Sequence, residues 1–175
     1  MTDRITTIQN QLLVMDAQEG SRVALEELVR RWYPRLWRHA RRLTSDPQAA
    51  WDITQRSWYD IIRDLHQLDD PARFQAWIYK ITTHRAMDWL RTQQRQQYVP
   101  LSAVEPPCDV EDDSSEVREA LLQLKQSSRV VLALHYWERL SIAEISIVLE
   151  IPAGTVKSRL YKAREELKAL WGHTS

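Results

Sequence analysis

Residues 140–164 read LSIAEISIVLEIPAGTVKSRLYKAR, two helical patterns with a corner between them. Ser141 and Glu144 stand three apart at the head of an apolar run. That is the spacing of a capping box, in which each side chain satisfies the other's orphan backbone donor. Glu150-Ile151-Pro152 breaks the run, and a longer pattern follows. There Val156, Leu160, Ala163 and Leu167 fall on one apolar stripe at helical spacing. The expectation is a short helix over 141–149, a tight turn, and a longer helix over 153–171, the dimensions of a helix-turn-helix.

Charge separates this second helix from an ordinary amphipathic one. Lys157, Arg159, Lys162 and Arg164 follow one another with no acid among them. Thr155, Ser158 and Lys162 lie off the apolar stripe near the helix N-terminus, the end that meets base edges in this motif. Its free backbone N–H groups also accept a phosphate. A charge run alone describes a solvated face, whereas the capped short helix, the turn and the basic start together point to DNA.

Working outward, the remaining punctuation is also helical. Gly20-Ser21 reads as a glycine stop followed by a new N-cap. Asp46-Pro47 and Asp70-Pro71 each pair an N-cap with proline at the first helical position. Pro34 interrupts an apolar-periodic run and predicts a break or kink. Helices are therefore expected over 6–19, 21–33, 34–43, 47–65 and 71–95, then over 115–125, 128–136, 141–149 and 153–171. Leu25, Leu28, Val29 and Trp32, and likewise Phe74, Trp77, Ile78 and Ile81, keep the spacing of a buried helix face. No stretch alternates with a period of two. The fold class is all-α: two small helical domains, 1–95 and 115–175, joined by a flexible acidic linker, 96–114.

Composition narrows the function classes. The 175 residues include only 3 Gly, too few for glycine-rich phosphate loops or a turn-rich β fold. The single cysteine, Cys108, leaves no internal disulfide or cysteine-cluster zinc site and fits a reducing cytoplasm. No apolar run approaches the roughly 18–20 residues that span a bilayer, so no membrane insertion is expected. Residues 1–11 carry no signal-peptide pattern. The zero net charge conceals a division. Residues 1–99 hold 15 basic and 12 acidic side chains, 100–120 hold 1 and 7, and 121–175 hold 8 and 5. Two mildly basic bodies thus flank an acidic strap.

The helix-turn-helix resembles region 4 of the extracytoplasmic-function (ECF) group of sigma-70 RNA polymerase sigma factors. Its match runs through Arg129–Leu134, Leu140–Ile145 and the string Pro152-Ala153-Gly154-Thr155-Val156-Lys157-Ser158-Arg159-Leu160. The first body resembles the same family independently. Asp52-Ile53-Thr54-Gln55 with Trp58 is similar to the family's region 2.2 motif. Phe74-Gln75-Ala76-Trp77-Ile78-Tyr79-Lys80-Ile81, with Asp88 and Leu90-Arg91, is similar to regions 2.3 and 2.4.

The resemblance implies an alternative sigma factor, not an enzyme and without a cofactor, that directs promoter-specific initiation. Its partners would be promoter DNA, core RNA polymerase (the β′ clamp helices and the β flap) and an anti-sigma factor. Asp52, Gln55 and Arg56 would contact polymerase. The loop 65–73 would cradle a flipped −10 base with His66, Gln67, Asp69 and Arg73, and Lys80, Thr83, His84, Arg85 and Arg91 would meet the strand. Aromatic and polar pockets are how proteins hold unstacked bases. Thr155, Lys157, Ser158, Arg159 and Lys162 would read the −35 element.

Some residues depart from the family pattern. Trp51 and Arg56 replace acidic neighbours of the polymerase motif, His84 stands in place of asparagine, and Ser127-Ser128 replaces Leu-Pro. Glu150 occupies a turn position where glycine is common; a left-handed backbone there costs a side chain roughly 1–2 kcal/mol.

The 19-residue linker spans about 63–68 Å when extended and about 24 Å as a coil. Its acidic run either occupies a basic polymerase channel, drawn out between the two bodies, or serves only as a solubilising spacer. The competing reading is a helix-turn-helix regulator with residues 1–95 as a sensor or dimerisation body. A hydrolase is not supported, because Glu26, Glu27, His39, His66 and His84 are too scattered for an acid–base or metal set.

Overall fold

A computed structural model describes the backbone of residues 2–96 and 115–172 and the side chains of 7–93 and 119–170. The acidic run and Cys108 lie outside the described residues. Among those described, every regular element is helical, and no helix is long and apolar enough to cross a membrane.

The first helix, α1 (Thr2–Gln18), stops at Gly20, whose φ of +95° suits a residue without Cβ. Ser21 then caps α2 (Arg22–Thr44), its hydroxyl accepting from the Ala24 amide at 3.3 Å. Contrary to expectation, α2 runs unbroken through Pro34. An internal proline costs about 3 kcal/mol. On either side of it, however, one continuous face buries Leu28, Trp32, Leu36, Ala40 and Leu43. Each large side chain on that face is worth about 1.5–3 kcal/mol when buried, so a break that turned half the face away would cost more than the lost hydrogen bond.

Asp46 caps α3 (Pro47–Asp64) through the Ala49 amide at 3.0 Å. A corner of two 3₁₀ turns, Leu65–Gln67 and Pro71–Arg73, leads into α4 (Phe74–Gln96). Asp70 caps the second of these turns rather than the helix itself. These four helices close around Trp32, Ile53, Trp58, Ile61, Phe74 and Ile78. Trp32 meets Phe74 and Tyr79 edge-on at 6.0 and 6.3 Å.

The second group comprises α5 (Ser115–Gln123), α6 (Gln126–Leu132), α7 (Ile142–Leu149) and α8 (Ala153–Gly172). The helix expected over 128–136 starts earlier and widens into a π turn, Ala133–Trp137, closed by Glu138 N–H to Ala133 O at 3.2 Å. The capping box forms as read: Glu144 N–H donates to Ser141 Oγ at 3.2 Å, and Ser141 N–H donates to Glu144 Oε2 at 2.7 Å. Glu150 ends α7 in the left-handed region, φ 54° and ψ 40°. Val156, Leu160 and Ala163 of α8 are buried, and Leu167 is half-buried.

The two groups do not stand apart. α7 lies along α4, while α6 and the π turn touch α2.

Candidate functional site

The face of α3 turned to solvent follows from its period. Ile53, Thr54, Ser57 and Trp58 point inward, which leaves Asp52, Gln55 and Arg56 exposed. Gln48 Nε2 donates to Asp52 Oδ1 at 3.3 Å, and Gln55 Nε2 donates to the Tyr33 hydroxyl at 3.0 Å. Asp52 and Arg56 also line a groove of about 390 Å³ with Asp88 and Trp89 of α4. Sequence reasoning missed two neighbours: Tyr59 is 69% exposed and Ile62 47%. They continue the face of Asp52 and Gln55 at offsets of seven and ten, a register that was readable.

The α3–α4 corner presents His66, Gln67, Asp69 and Arg73 to solvent. The α4 candidates diverge. Lys80 and His84 face α7: Lys80 Nζ donates to Glu150 Oε1 at 2.7 Å, and His84 Nε2 hydrogen-bonds the Val148 carbonyl at 3.0 Å. Lys80 holds the Glu150 carboxyl below its ordinary range. Thr83 is fully buried, its hydroxyl 2.8 Å from His39 Nε2, so it is placed away from any accessible strand. Arg85 pairs with Asp60 of α3. Arg91 is exposed and pairs with Asp88. The structure thus brings Lys80 and His84 together but separates them from Thr83 and Arg85.

Beside this contact lies a buried polar joint. Glu138, 7% exposed, receives Arg42 Nη1 at 2.9 Å and the Tyr79 hydroxyl, while Gln75 Nε2 donates to its carbonyl at 3.1 Å. His39 Nδ1 lies 3.4 Å from the same carboxylate. Burial pushes the Glu138 carboxyl upward, but His39, Tyr79 and Arg42 outweigh it and hold the group below its ordinary range. Burial, followed by the Glu138 charge, drives Tyr79 well above the usual phenol value. Arg129 Nη1 adds a bond to the Leu43 carbonyl at 2.8 Å.

On α8 the inward stripe leaves Lys157, Ser158 and Lys162 exposed, with Thr155 and Arg159 partly so. Ser158 Oγ donates to the Thr155 carbonyl at 3.0 Å. Lys157, Arg159 and Lys162 have no carboxylate at ion-pair distance among the described residues, so their charge is available to an anionic partner.

Similarity to known proteins covers both groups of helices. Residues 28–96 match sigma-70 region 2, and residues 114–167 match sigma-70 region 4. The ECF RNA polymerase sigma factor SigE of Mycolicibacterium smegmatis is 30% identical over 154 residues, spanning 82% of this chain and 60% of that protein. The ECF RNA polymerase sigma factor SigW of Bacillus subtilis is 24% identical over 173 residues, 89% of this chain and 92% of that one. Among solved structures, CnrH in complex with the cytosolic domain of CnrY superposes with a TM-score of 0.75 at 25% identity, covering 95% of this chain and 99% of CnrH. RpoE of Bartonella quintana, bound to the anti-sigma factor NepR, shares the fold with a TM-score of 0.71 at 21% identity, over 84% and 96% of the two chains. The chain belongs to the ECF group of the sigma-70 family and is an alternative sigma factor that directs transcription initiation.

Proposed function

We propose that the exposed face of α3 docks on core RNA polymerase, that the α3–α4 corner captures an unstacked −10 base, and that the start of α8 reads the −35 element. In this reading residues 1–95 and 115–175 are the two working domains, with 96–114 as the strap between them. The chain works in the cytoplasm, where polymerase and promoter are, and has no catalysis of its own.

One observation carries the reading. Asp52, Gln55 and Arg56 on α3 and Lys157, Ser158 and Lys162 on α8 are exposed together, while Lys80 and His84, themselves part-exposed, are tied to Glu150 and Val148 at the end of α7. The arrangement therefore leaves the polymerase and −35 candidates free and withholds part of the −10 surface, so initiation requires α7 to leave α4. Polymerase would supply that separation by engaging each domain at its own site, the β′ clamp helices for α3 and the β flap for the second domain. An anti-sigma factor fits the same scheme, since CnrH is found in complex with the cytosolic domain of CnrY and RpoE with the anti-sigma factor NepR.

Run-off transcription with purified core polymerase and a promoter library tests the proposal. Specific transcripts are expected, and Arg159→Ala or Lys162→Ala should weaken −35 binding by about 1–3 kcal/mol if the residue reads a base. Duplex binding without transcripts would select a conventional helix-turn-helix regulator instead.

A further inference from the structure

A cavity of about 570 Å³ opens where α2 and α4 meet residues 137–139. Its wall carries four guanidinium groups, Arg35, Arg38, Arg42 and Arg139, against one carboxylate, Glu138. Glu138 is already committed to Arg42 and Tyr79. Among the described residues no carboxylate lies within ion-pair distance of Arg35, Arg38 or Arg139. The indole N–H of Trp32, another lining residue, is buried and has no acceptor among the described residues. The cavity lining therefore carries four guanidinium groups and an indole N–H against a single carboxylate.

Its geometry is also set in advance. Arg35, Arg38 and Arg42 share one face of α2, and Arg35 lies over the Trp32 ring at 5.0 Å. Arg139 is held in the left-handed region at φ 54°, a strained state for a non-glycine residue of the kind found in ligand clamps.

We propose that this cavity binds a small phosphorylated anion, and that the ligand bridges the two groups of helices and holds them closed. Guanidinium forks match phosphate oxygens in pairs. The volume falls in the range of small-molecule sites, about 300–1,000 Å³. Three of the arginines come from α2 and the fourth from beyond the π turn. A ligand touching both therefore binds the closed arrangement better than the open one and shifts the population toward it.

Calorimetric titration of the full chain with inorganic pyrophosphate tests this. One saturable site is expected, weakened about tenfold or more in Arg38→Gln and in Arg139→Gln, with circular dichroism confirming that both variants fold. Solution scattering should show pyrophosphate reducing the radius of gyration of the unmodified chain. Absence of saturable binding, or an affinity in both variants equal to that of the unmodified chain, overturns the site. A site that binds but leaves the scattering unchanged overturns the bridging. Loss of single-stranded DNA binding in both variants, with no response to pyrophosphate, would make these arginines a nucleic-acid surface and also overturn the proposal. A chain that binds pyrophosphate but gives no transcripts would keep the cavity and remove the promoter reading.

Discussion

Lys80 on α4 and Glu150 at the corner of the helix-turn-helix are joined by a 2.7 Å ion pair, although 70 positions separate them in the chain. A cation proposed to meet the −10 strand is thus held by Glu150, which sits in a left-handed conformation at the corner of the motif proposed to read the −35 element.

That pairing gives Glu150 two opposed effects. Glu150→Gly removes the steric strain at a positive φ and also removes the partner of Lys80. The variant is expected to raise the thermal stability of the second group of helices while expanding the chain in solution scattering. Glu150→Gln keeps the strain and loses only the charge, so it should expand the chain without the gain in stability. Equal compactness of all three proteins, at low salt where the pair is least screened, would show that it does not hold α7 against α4.

Glu138 contributes more, because it is buried. Glu138→Gln preserves shape but removes the negative charge that Glu138 sets 2.9 Å from Arg42, itself 8% exposed. Removing one member of a buried pair typically costs about 3–5 kcal/mol. The variant should unfold at a clearly lower urea concentration and expand in solution, whereas a change below about 1 kcal/mol would mean that water reaches Arg42 and replaces the carboxylate.

The pH dependence follows from the same joint. Glu138 titrates below its ordinary value in the folded chain, so its contribution is complete above the unfolded carboxyl value, about 4.3, and fades as pH falls through the depressed value. Tyr79 titrates above its ordinary value, so its contribution is complete below about 10 and fades as pH rises beyond it. The contributions of these two groups should therefore be flat between these limits. Glu138→Gln should flatten part of the acid limb and Tyr79→Phe part of the alkaline one. Limbs unchanged by either substitution would assign the pH dependence to other groups.

Local signals made much of this fold legible in the sequence. Ser21, Asp46 and the Ser141–Glu144 box each cap the helix they announce, because capping needs only neighbours within a turn. The joint between the two groups was not legible. Glu138 lies 96 positions from Arg42 and 59 from Tyr79, and nothing local distinguishes it from a surface acid. Thr83 illustrates the same gap: it falls within a motif that the family resemblance turns toward DNA, yet its helix phase turns it toward His39. Pro34 misled in the other direction, since a local penalty was outweighed by burial over the whole of α2.

The exposed face of α3 yields the last prediction. Asp52, Gln55, Tyr59 and Ile62 follow one another at three- and four-residue steps, an acid and an amide beside two apolar groups that the fold itself does not cover. A large aromatic flanked by polar groups is the composition of an interface anchor. Tyr59→Ala and Asp52→Ala should each weaken binding to core polymerase by about 1–3 kcal/mol, measured by competition for a limiting amount of core. Because both side chains are exposed, neither change should shift the thermal midpoint appreciably. Loss of core binding accompanied by a large drop in stability would place these residues in the scaffold, whereas unchanged binding in the double variant would remove α3 from the polymerase contact.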